Sequence, residues 1–113
     1  MTKAAILKRC KYWQKRLRLT NWDINFKVVS KADMPGDMVG LCQRWENMNT
    51  AEILILDPKD LRSRPFEDTI EATIAHELLH LIVSPLFRNP ASDFEDQAQE
   101  AAIEAIAKGL VEI

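Results

Sequence analysis

The chain has 113 residues, a formal net charge of −2, 47% apolar residues and 28% charged ones. That length is expected to make a single domain over residues 1–113, with a core of its own and no room for a second. The most apolar windows, such as residues 78–83, are far too short to span a membrane, and two cysteines, Cys10 and Cys42, are too few for a disulfide scaffold; a cytoplasmic protein is expected.

Thr2 can cap a first helix running to about Leu19, with Ile6, Cys10, Trp13 and Leu17 recurring at helical spacing as its buried stripe. Its apolar run over residues 4–7 is short and leads straight into Lys8, Arg9 and Lys11, unlike a secretory signal. Seven of the chain's 15 lysines and arginines fall in residues 1–20, which hold no acid, leaving eight against all 17 acids in the remainder. Such a helix could meet nucleic acid or an acidic partner. Without the aromatic or glycine motifs of nucleic-acid binding, it reads as a solvated face on an acidic body, and nucleic acid is not expected as a partner.

Residues 22–29 alternate, with Trp22, Ile24, Phe26 and Val28 on one side, which predicts a half-buried strand. Met34-Pro35-Gly36-Asp37 is a turn or loop. Residues 38–45 and 51–56 predict two more strands joined as a hairpin, and Asp57-Pro58 closes the sheet. A second helix is predicted over residues 66–83, with Asp68 and Glu71 as a capping box, and Pro85 and Pro90 mark its end. A last helix, about residues 93–110, would bury Ile103, Ile106, Ala107 and Leu110 and stop near Gly109. The expected fold is α+β: a backing helix, a small three-stranded and mainly antiparallel sheet, and two C-terminal helices.

The only two histidines lie in His76-Glu77-Leu78-Leu79-His80. Four positions apart on a helix, they project from one face, a spacing that suits a tetrahedral metal ion, with Glu77 placed to take the proton of a water on that metal. On a wheel of ~100° per residue, Thr69, Thr73, His76, Glu77, His80 and Ser84 share one arc of ~100° on an otherwise apolar helix. A buried helix whose histidines bond to backbone carbonyls would explain neither the spacing nor the arc. It would also leave Glu77 without a cation.

Two histidines leave a catalytic zinc one protein ligand short, and no third exists. Among the carboxylates, Glu100 lies at the edge of the face carrying Ile103 and Ala107, while Glu95 and Asp96 sit at the start of the last helix. Glu104, one turn beyond Glu100, could accept a hydrogen bond from the free ring nitrogen of His76.

His76-Glu77-Leu78-Leu79-His80 followed by Glu100 resembles the gluzincin metallopeptidases, above all their minimal single-domain members (minigluzincins), some of them phage-encoded. The resemblance implies a zincin-like domain holding one Zn²⁺ on His76, His80 and Glu100, with Glu77 as general base for hydrolysis of a peptide or protein substrate. It implies a substrate strand over residues 39–45, with Gly40, Leu41, Cys42, Gln43 and Arg44, where Gly40 allows close approach. Where the family's glutamate helix often reads Asn-Glu-x-x-x-Asp, this chain has Gln99-Glu100-Ala101-Ala102-Ile103-Glu104. The tyrosine or histidine such enzymes place on the oxyanion has no clear counterpart; Tyr12 lies on the first helix, and Arg44 or Arg88 are the other choices. Two alternatives stand beside this reading. Cys42 could be the third ligand, as in peptide deformylase, though that family's Glu-Gly-Cys-Leu-Ser signature is absent. Alternatively, the protein could be a phage or mobile-element regulator of the ImmA/IrrE type, acting on one partner.

Overall fold

The computed structural model describes residues 1–61, 68–86 and 93–112. Helix α1 (Lys3–Arg16) begins where the Thr2 hydroxyl accepts the Ala5 backbone N–H at 3.1 Å, and it buries Ile6, Cys10 and Trp13 as its spacing predicts. It ends three residues before Leu19. The Leu19 N–H donates to the Gln14 carbonyl and the Arg18 N–H to that of Lys15, with Arg18 at φ 59°. This is a Schellman closure made without glycine, so no residue announced it.

Strands β1 (Asp23–Val29), β2 (Gly40–Trp45) and β3 (Thr50–Leu56) form one sheet in the order β1-β3-β2. The expected hairpin is present, with β2 antiparallel to β3 and Cys42 opposite Ile53. The expectation of a mainly antiparallel sheet is corrected: β1 pairs parallel to β3, with Phe26 beside Ile53, so the sheet is mixed. The chain leaves β1, reaches the far edge to make β2, and returns through the centre as β3. β2 is therefore an edge strand.

Helix α2 (Asp68–Val83) lies across the sheet, packing Ile70, Ile74, Leu78 and Leu81 against Ile24, Phe26, Ile53 and Ile55 and the stripe of α1. Helix α3 (Asp93–Val111) covers another side of α2 through Ala75, Leu79, Ile103 and Ala107. Ile106, expected in that seam, is 46% exposed. Contact between two single helices needs only a narrow stripe, and the 103–107 spacing fills it. Nor does Gly109 end the helix, for the Glu112 N–H still reaches the Lys108 carbonyl at 3.2 Å.

Glu71, the partner of Asp68 in the expected capping box, reaches α1. It accepts from Arg9 Nε at 2.6 Å and Trp13 Nε1 at 3.0 Å, clasping the first turn of α2 to the backing helix. The Asp68 and Thr69 side chains, Arg88 and Pro90 lie outside the described residues. Among those described, no helix is long and apolar enough to cross a membrane.

Candidate metal centre

Because α2 is apolar on the sides that meet the sheet and α3, its polar arc is left facing the gap between α3 and the edge strand β2. A cavity of about 1350 Å³ occupies that gap, lined by Gly40, Cys42 and Arg44 of β2, by the histidine face of α2, and by Glu100 and Glu104 of α3.

Among the described residues, His76, His80 and Glu100 form the one group whose ligand atoms, one from each residue, all lie within 4.8 Å of one another. Glu100 bridges the rings, with Oε2 3.0 Å from His76 Nε2 and Oε1 3.1 Å from His80 Nε2. Behind His76, Nδ1 lies 2.6 Å from Glu104 Oε2. If the His76 Nδ1–H donates to Glu104, Nε2 turns a lone pair toward the Glu100 carboxylate. That approach needs a positive centre between the two, either a second proton on the imidazole or a cation.

The donor set fits a cation. Ligands at zinc bond lengths of ~2.0–2.1 Å sit about 3.3 Å apart around a tetrahedron, and one donor atom from each of the three residues already lies within 4.8 Å of the other two. His80 is held below the ordinary histidine pKa, first by burial and then by the charges of His76 and Arg44, against the opposing pull of Glu100. A neutral ring keeps the lone pair that ligation requires.

Glu77 is only 7% exposed. Burial pushes its pKa up to about 7; the charge of His76 lowers it, and those of Glu100 and Glu104 raise it further. No hydrogen bond from a described residue offsets that burial. A Cβ added at Gly40 would stand 2.8 Å from Glu77 Oε2 and 2.8 Å from Thr73 Cγ2. The close approach that this glycine permits is thus between β2 and α2, a purpose its place in the sequence did not reveal.

The other site expectations divide. Glu104 stands where a ligand-orienting carboxylate was expected. Gly40, Leu41, Cys42 and Arg44 line the cavity, and Gln43 is not among its lining residues. Cys42 lies outside the three-donor group, packs against the main core, and has its thiol pushed up to about 12 by burial and the Glu77 charge. Glu95 and Asp96 are not in the group either, though Asp96 lines the cavity. Tyr12 lies against Arg9 and Trp13, away from the cavity. The tie between Gln99 Nε2 and Ser84 Oγ, 3.4 Å long, joins the end of α2 to α3 and was not expected from the sequence.

Comparison of the chain with models of protein families, with curated proteins and with solved structures finds no match.

Proposed function

We propose that the protein is a zinc-dependent metallopeptidase of the gluzincin type. The observation that carries this reading is that ligand atoms of His76, His80 and Glu100 lie within 4.8 Å of one another in a cavity lined by an edge strand. A zinc ion held by these residues would supply Lewis acidity, polarising a peptide carbonyl and acidifying water.

The remaining chemistry belongs to the chain. Glu104 holds the His76 ring in one orientation through Nδ1. Glu77, with a pKa near 7, is suited to accept a proton from the attacking water and return it to the departing amine nitrogen. Burial keeps competing solvent from its carboxyl. The outer edge of β2 has no partner strand among the described residues, so an extended peptide can add to it beside the histidines. Arg44 also lines the cavity, and its guanidinium is our choice for stabilising a developing oxyanion. The deformylase-like alternative finds no support in the position of Cys42.

The test is hydrolysis of a mixed peptide library by zinc-loaded wild type beside Glu77→Gln. Turnover by wild type alone, with zinc retained in both proteins, is the expected result. If zinc is retained and no peptide is cut, the general peptidase reading fails. The regulator acting on a single partner then takes its place.

A further inference from the structure

The cavity holds more carboxylates than the proposed chemistry uses. Asp37, Glu77, Asp96, Glu100, Glu104 and Glu112 line it, against the cations Arg44 and Lys108. A divalent cation at the histidines would still leave the lining net negative. Lys108 is engaged with Glu104 at 3.6 Å. Among the described residues, Asp37, Asp96 and Glu112 have no lysine or arginine nitrogen within ion-pair distance, and none belongs to the three-donor group. These carboxylates do not stand alone as an acidic cluster. They share the cavity with three converging donor atoms and with the buried Glu77, which accepts no hydrogen bond from a described residue.

Asp96 is the best placed of the three. It precedes Glu100 by one helical turn, so Asp96, Glu100 and Glu104 follow one another along the side of α3 that meets the histidines. Its charge acts on the His80 ring. A peptide extended along β2 would turn every second side chain toward this wall.

Accepting the metallopeptidase reading, we infer that the cleft selects cationic peptide segments: Asp37, Asp96 and Glu112 set an anionic field along it, and Asp96 takes the lysine or arginine side chain beside the bond held at His76 and His80. Grooves lined by one sign of charge concentrate ligands of the other, and the effect weakens as salt screens it. Arg44 makes the opposite preference, for an acidic peptide, the competing outcome.

The experiment is fluorescence anisotropy of the full chain with a chelator present, so that binding is read without turnover. Three labelled peptides of equal length carry lysine, glutamine or glutamate at the same central positions. The lysine peptide should bind about tenfold tighter than the glutamine peptide at low salt, and the advantage should shrink at high salt. Asp96→Asn should remove most of that advantage. Asp23→Asn, an acid at the start of β1 outside the cavity, should leave it intact. Equal binding of the lysine and glutamine peptides would overturn the inference. So would tightest binding of the glutamate peptide, or an equal loss in Asp23→Asn, which would mark a nonspecific charge effect. Zinc content is measured separately. A lysine preference in a chain that takes up no zinc would sink the metallopeptidase reading while sustaining the cationic cleft. Zinc uptake without that preference would do the reverse.

Discussion

Nδ1 of His76 lies 2.6 Å from Oε2 of Glu104, a residue 28 positions further along the chain and on a different helix. This contact selects the ring orientation that turns Nε2 toward Glu100 and His80. α3 therefore contributes twice to the centre, with one carboxylate among the three donors and a second, one turn on, fixing a histidine. Removing the second should weaken metal binding without abolishing it. Glu104→Ala is expected to bind zinc about 10- to 100-fold less tightly than wild type, measured by competition with a chromogenic chelator. An unchanged affinity would mean that packing alone orients His76.

Gly40 and Glu77 should be energetically coupled. A methyl group at position 40 meets Glu77 Oε2 and Thr73 Cγ2 at 2.8 Å, on an α2 whose far sides are packed. Gly40→Ala is expected to cost about 1–3 kcal/mol in denaturant unfolding, and appreciably less in a Glu77→Ala background. Strict additivity of the two changes would show that the strand shifts freely.

The α2–α3 seam should be narrow. Ile103 is fully buried against α2 and Ile106 is 46% exposed. Ile103→Ala should destabilise the chain by about 2–5 kcal/mol, while Ile106→Ala should stay within about 0.5 kcal/mol of wild type. Comparable losses at both positions would mean that α3 lies rotated from the orientation described.

Both thiols should be inert until alkaline pH. Cys10 is raised to about 12 chiefly by burial, and Cys42 to about 12 by burial and then the Glu77 charge. Alkylation of the folded chain at pH 8 should run about a thousandfold slower than that of the unfolded chain, because the thiolate is the reactive form. The linked effect on stability has a definite sign. The unfolded thiols lose protons near the ordinary value of 9.0 that the folded ones keep to about 12, so the unfolded state binds fewer protons across that window. Stability therefore falls as pH rises from about 9 to 12. Titrating unfolding against pH in wild type and in Cys10→Ala checks this. Equal slopes in the two proteins would remove the Cys10 contribution.

The sequence pointed to most residues of the candidate site and to part of the fold. Helical periodicity picked out Ile6, Cys10 and Trp13 as the buried face of α1, and the polar arc of α2 pointed to a cleft. Both patterns are local and repeat every turn. Glu100 was legible because it lies at the edge of the face carrying Ile103 and Ala107, which are buried, and Glu104 because it follows Glu100 by one turn. Pairing of the strands was legible only where it is local. The β2–β3 hairpin follows from adjacency, whereas alternation tells which face of β1 is buried and nothing about its neighbour, so the parallel pairing of Phe26 with Ile53 was missed. The reach of α1 was overstated because Arg18 adopts the left-handed turn that a glycine would have signalled. The partners of Glu71 on α1 depend on how two helices cross, and no spacing within one helix encodes that.

Metal content per chain, by elemental analysis after exposure to excess zinc and gel filtration, tests the three-donor centre most directly. Wild type should hold one zinc, and His80→Ala and Glu100→Ala should each hold far less while melting cooperatively. Glu100→Ala retaining one zinc would contradict the assignment of the third ligand. Absence of zinc from wild type would contradict the metal centre itself, leaving the contacts among His76, His80 and Glu100 as side-chain contacts between the two helices.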